Sequence, residues 1–147
     1  MNNKIIAVDF DGTIVEDAYP QIGKEMLFAF DTLKKLQSKG YRLVLWTYRH
    51  GKTLDAAVEF CKKNGVEFYG INNSFIGEEY DPESQSRKIN ADFFIDDRNL
   101  GGFPGWGEIY EIIYNKIEFN LNNGIVDAVS YRKNKKKKGF LAKMFGG

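Results

Sequence analysis

The chain has 147 residues, 21 basic against 20 acidic side chains, and 43% apolar residues, enough to bury the core of one α/β domain but too short for several. The near-neutral total excludes a wholly basic nucleic-acid binder, and a single cysteine, Cys61, excludes an internal disulfide framework. No run is apolar for membrane-spanning length and no leader-like segment opens the chain, so the expected compartment is the cytoplasm.

In chain order, Ile5-Ile6-Ala7-Val8 is an apolar run that predicts a buried strand over 4–9. Two carboxylates, Asp9 and Asp11, leave its end, and Gly12 then frees the backbone to turn sharply. A loop over 10–23 leads to an amphipathic helix over 24–39, with Leu27, Phe30, Leu33 and Leu36 on its inner face and Gly40 closing it. A strand over 41–47 ends in Thr47, followed by Tyr48 and Arg49. A helix over 52–64, carrying Leu54, Ala57, Val58 and Cys61, stops at Asn64-Gly65. Cys61 has no visible activator beside it and reads as a packing residue. A short strand over 66–71, an irregular stretch over 72–87, and a strand over 92–96 follow. That last strand again ends in paired carboxylates, Asp96-Asp97, with Arg87-Lys88 ahead of it. A Gly/Pro loop over 101–107 precedes a final helix over 107–122.

Strands separated by helices of this length imply parallel pairing with right-handed crossovers, hence a Rossmann-like three-layer α/β sandwich with a mostly parallel central sheet. In such a sheet ligands bind at the carboxyl ends of the strands. The chemistry-bearing residues sit at those ends: an acid pair, a hydroxyl, a cation and a second acid pair. Like charges this close call for a compensating cation or a shared proton. Carboxylates can attack phosphorus, and Mg²⁺ with hard oxygen ligands removes the repulsion between a carboxylate and a phosphate.

The order Asp9-Phe10-Asp11-Gly12-Thr13, Thr47, Lys88 and Asp96-Asp97 resembles the four motifs of the haloacid dehalogenase (HAD) superfamily of phosphohydrolases, over roughly residues 4–100. The resemblance implies a HAD-like fold and a Mg²⁺-dependent phosphatase that hydrolyses a phosphate monoester through an aspartyl-phosphate. It implies Asp9 as nucleophile and metal ligand, and Asp11 as general acid, then base, giving its backbone carbonyl to the metal. Thr47 and the following backbone N–H, with Tyr48 and Arg49 beside them, are expected at the phosphoryl group. Lys88 is the expected cation, preferred to Arg87 because the family uses lysine more often. Asp96 is the expected direct ligand, with Asp97 either a ligand through water or a supporting group.

The stretches 14–23 and 72–87 are too short for a cap domain, so the resemblance is to a minimal, capless member. An open site accepts large or polymeric phosphate esters, or is covered by a second subunit in a homo-oligomer. The stretch with Glu78, Glu79 and Asp81 reads first as a solvated loop; at the rim of the site these side chains would disfavour highly anionic substrates. Two domains of behaviour are expected: a hydrolase body over 1–129 with fourteen basic against twenty acidic groups, and a basic tail over 130–147 with seven basic groups and no acid. The tail reads first as solvated chain and less as a contact to nucleic acid or an anionic membrane. Two rival readings stand beside the phosphatase: a regulatory module that holds phosphate or metal without turnover, and a phosphatase acting on nucleic-acid ends. A phosphotransferase or mutase normally needs a cap to exclude water and is argued against by its absence.

Overall fold

The computed structural model describes residues 3–122. The chain is a Rossmann-like α/β fold around a four-stranded, all-parallel sheet in the order β3-β2-β1-β4. The strands are β1 (Ile5–Val8), β2 (Arg42–Leu45), β3 (Gly70–Ile71) and β4 (Phe93–Ile95), and the helices are α1 (Ala29–Ser38), α2 (Gly51–Lys63) and α3 (Trp106–Asn122). Two compact units divide at Trp106: Met1–Trp106, which holds the sheet, and Gly107–Gly147. The basic tail expected over 130–147 lies outside the described residues. No helix among the described residues is long and apolar enough to cross a membrane.

Side-chain alternation sorts the sheet into two faces. Register pairs Ile6 with Leu43 and Val8 with Leu45, all buried, on one face. Because β1–α1–β2 and β2–α2–β3 are consecutive right-handed crossovers in one direction, both helices belong on the same face. The tilted contact of Phe30 in α1 with Phe60 in α2, centroids 5.8 Å apart, bears this out, and Phe10 joins edge-on to Phe60 at 6.3 Å. Cys61 is buried here, and burial pushes its thiol up to about 12, so it is a packing residue as the sequence suggests.

The opposite face carries Ala7 and Val44. Within the first unit it is covered by the irregular connection between β3 and β4 rather than by a helix: Ile89 packs on Ala7 and Val44, with Ile5, Trp46 and Ala91 around them.

Strand and helix limits agree closely with the sequence, with two exceptions: β3 forms only at Gly70–Ile71, the last two residues of the expected 66–71, and α1 is shortened at its start. α1 begins five residues later than the periodicity predicts. The segment ahead of it is captured as a second layer of backbone pairing: Glu16 N–H donates to the Lys24 carbonyl at 2.8 Å, Met26 N–H to the Ile14 carbonyl at 2.9 Å, and Val15 bridges Glu25. Phe28 turns the chain with φ +64° before the helix starts. Leu27, expected on the buried face, is therefore 76% exposed.

Candidate active site

Hydrogen bonds continue past the ends of the strands and fix the first residues of the loops beyond them. Asp9 N–H donates to the Ile95 carbonyl, Trp46 N–H to the Val8 carbonyl, both at 2.9 Å, and Asn72 N–H to the Leu45 carbonyl at 2.8 Å. Four strand ends thus carry Asp9, Thr47, Asn72 and Asp96 to one edge of the sheet. They border a cleft of about 900 Å³.

On the β1–β4 side, carboxylate oxygens of Asp9, Asp96 and Asp97 lie within 4.8 Å of one another. Thr13, fully buried, ties this group together. Its hydroxyl accepts the Asp97 N–H at 3.1 Å and is within reach, as donor, of Asp9 Oδ2 at 3.1 Å and Asp97 Oδ1 at 3.4 Å. Its single proton serves one of the two carboxylates at a time. The Trp106 indole N–H, donating to the Thr13 carbonyl at 2.8 Å, fixes the backbone of the same residue. Gly12 is required beside it: φ is +80°, and a Cβ there would come within 2.7 Å of Asp97 Cγ. Asp96 Oδ1 accepts the Arg98 N–H at 2.8 Å.

No ion pair to Asp9 occurs among the described residues. Burial first, then repulsion from Asp96 and Asp97, pushes its carboxyl up to about 7, against the opposing hydrogen bonds from the Phe10 backbone and Thr13. Three oxygen donors held together with uncompensated like charge suit a hard divalent cation such as Mg²⁺.

Asp11 is treated differently. Its two carboxylate oxygens accept from Arg49, Nε to Oδ2 and Nη2 to Oδ1, both at 2.7 Å. Arg49 is only 1% exposed. It also donates to the carbonyls of Gln21 at 2.6 Å, Pro20 at 3.0 Å and Thr53 at 3.3 Å. All five guanidinium N–H groups are thereby used. Phe10 and Tyr19 lie within cation–π range, 4.9 and 5.3 Å from the guanidinium carbon.

The expected residues are placed as follows. The Asp11 carboxylate, expected as acid and base with its backbone carbonyl at the metal, borders the cleft and is gripped by Arg49, apart from the Asp9, Asp96 and Asp97 group. Arg49, expected beside the phosphoryl group, also borders the cleft, with its N–H groups already partnered inside the chain. Lys88 does not line the cleft: its ammonium sits over the Phe94 ring at 5.6 Å, and Phe94, level with Ala7, belongs to the sheet face. Arg87 does line it, with its guanidinium over Tyr80 at 4.8 Å. Adjacent residues point apart, and the cleft received the arginine.

Thr47 and Tyr48 line the cleft as expected, Tyr48 being 93% exposed. The Thr47 hydroxyl accepts the Arg49 N–H at 3.2 Å, which leaves its own proton to donate. The Thr47 N–H is taken by Asn72 Oδ1 at 2.8 Å. Asn72 also donates through Nδ2 to the Arg49 carbonyl at 3.3 Å, and its φ of +52° is one asparagine tolerates. Sequence reasoning missed two organising residues, Asn72 and Thr13. Thr13 stood inside the first motif, and its place four residues after Asp9 is the available signal.

The chain is 54% identical to a conserved protein coded by a locus of Bacteroides thetaiotaomicron, whose structure superposes with a TM-score of 0.74 over 78% of this chain and 93% of that one. The chain belongs to that protein's family. The fold is therefore shared with that protein. No family model and no curated protein matches the sequence.

Proposed function

We propose that the protein is a Mg²⁺-dependent, HAD-type phosphatase that hydrolyses a phosphate monoester through an aspartyl-phosphate on Asp9. The observation that carries this reading is the convergence of Asp9, Asp96 and Asp97 within 4.8 Å at the carboxyl end of a parallel sheet, beside the Thr47 hydroxyl in one cleft. Asp9, Asp96 and Asp97 would hold the metal, which supplies charge neutralisation between carboxylate and phosphate. Asp9 attacks phosphorus as the P–O bond to the ester oxygen breaks and the leaving alcohol takes a proton from Asp11; the Thr47 hydroxyl hydrogen-bonds a phosphoryl oxygen, and Arg87 brings positive charge from the cleft wall. Thr13 keeps Asp9 and Asp97 in register. Water, giving its proton back to Asp11, then attacks phosphorus, the P–O bond to Asp9 breaks, and inorganic phosphate leaves. The open edge accepts a free or polymer-borne ester.

One observation favours a second reading, a module that holds phosphate or metal without turnover: Asp11, the residue that would move protons, is bound on both oxygens. Phosphate release from a panel of esters, with Mg²⁺ or with chelator, on wild type and Asp9→Asn, decides between them. Mg²⁺-dependent release lost in Asp9→Asn is the expected result. Folded protein that binds Mg²⁺ and releases no phosphate from any ester favours the module.

A further inference from the structure

Arg49, Arg87 and Arg98 all line the cleft, and the chain treats them differently. Arg49 spends its donors inside the protein. Among the described residues, the guanidinium groups of Arg87 and Arg98 donate no hydrogen bond and pair with no carboxylate. Arg87 lays its face on Tyr80, which leaves its edge of N–H groups open. Arg98 is exposed and follows Asp96 and Asp97 directly, yet only its backbone N–H turns to Asp96. Its side chain passes both carboxylates by and borders the cleft instead. Two loops deliver these cations, since Arg87 precedes β4 and Arg98 follows it. Of Glu78, Glu79 and Asp81, expected to repel anions at the rim, Glu78 alone borders the cleft, and its carboxylate accepts the Ser74 N–H at 2.5 Å.

A cleft of about 900 Å³ has room for a whole small molecule, so the leaving group lies inside it along with the phosphoryl group. The phosphoryl oxygens already have the metal, the Thr47 hydroxyl and Arg87 as partners in the phosphatase reading, on which this step rests. Arg98 is left over. A guanidinium fork matches a carboxylate or a phosphate, and an arginine held out of every internal ion pair keeps that fork for a ligand. We infer that the preferred substrate is a phosphate monoester whose leaving group carries a second anionic group, a carboxylate or a further phosphate, and that Arg98 is the specificity-determining residue that grips it. Were Arg98 a second partner of the transferring phosphate, it would speed every ester alike. A grip on the leaving group makes its contribution depend on what that group carries.

The test is a set of monophosphates of straight-chain diols of increasing length, assayed with Mg²⁺. The far end of each is left as a hydroxyl, oxidised to a carboxylate, or capped with a second phosphate. At the best length, wild type is expected to favour a charged end over the hydroxyl end by about tenfold or more in kcat/KM, the scale of one charge-assisted hydrogen bond. The arm that shows the preference names the anion. Arg98→Gln is expected to lose most of that preference, chiefly by raising KM for the charged esters, whereas Arg87→Ala lowers both kinds alike. A ratio is insensitive to the fraction of protein folded, and should Arg98→Gln not fold, the wild-type series decides whether a second anion is read. Equal turnover of charged and hydroxyl ends at every length overturns the inference while leaving the phosphatase standing. A folded Arg98→Gln that slows both kinds alike and keeps the ratio overturns the role of Arg98. No turnover of any ester, with Mg²⁺ bound, overturns both the inference and the phosphatase reading.

Discussion

Asp9 and Asp11 stand two residues apart in one turn, and the fold treats their charges in opposite ways. Asp11 is neutralised from within, by a buried arginine that spends every donor on it and on three carbonyls. Asp9 is left among carboxylates, with a threonine hydroxyl and, among the described residues, no cation, and its carboxyl rises to about 7. A carboxylate compensated by the chain is part of the scaffold, whereas one left uncompensated in a cleft awaits a ligand. The same short motif therefore has a closed half and an open half.

Substitutions at the two aspartates sharpen this contrast most. Asp9→Asn should reduce Mg²⁺-dependent phosphate release by about 10⁴-fold or more, the scale on which removing a covalent nucleophile acts; residual turnover within tenfold of wild type would break the contrast at its centre. On stability the order reverses. Arg49→Met leaves Asp11 without its partner and should cost about 3–5 kcal/mol in denaturant unfolding. Asp9→Asn in chelator should instead stabilise the fold, and the sign comes from the raised carboxyl. Ionising Asp9 is harder in the folded chain than in the unfolded one, so its charge destabilises as pH rises from 3.8 to about 7. The unfolding midpoint of Asp9→Asn should thus match wild type near pH 4 and exceed it increasingly up to pH 7, and Mg²⁺ should erase the gain. A constant difference across that range would mean that charge is not its source.

Smaller effects test the supports. Gly12→Ala meets both a positive φ and the Asp97 carboxylate, so a loss of about 1–3 kcal/mol with weakened Mg²⁺ binding by calorimetry is expected. Arg87→Ala should lower kcat/KM about tenfold, the value of one charged hydrogen bond, and Lys88→Ala less than about twofold. The opposite ranking would return the cationic role to Lys88.

Much of this arrangement was legible beforehand, for local reasons. Asp9 and Asp96 each come directly after an apolar run, so a strand end could be located and parallel pairing aligned them. Lys88 against Arg87 was not legible, because the 72–92 connection has no regular period from which to read side-chain direction. Arg49 beside a strand end reads as a ligand contact, and its burial depends on Pro20 and Gln21 folding back over it, a contact 28 and 29 residues distant that no local pattern encodes. Leu27 and Phe28 extend the helical periodicity of α1, but the Val15–Glu25 bridge ties down the chain just ahead of them and Phe28 turns it with φ +64°, so tertiary pairing overrode the pattern.

The measurement closest to the central claim is a single turnover of a phosphate monoester with Mg²⁺, stopped in acid and analysed by peptide mass mapping. The account predicts a phosphoryl group on the peptide that carries Asp9, appearing before free phosphate accumulates and absent from Asp9→Asn. Phosphate released at full rate with no labelled peptide, or with the label on another residue, would contradict it.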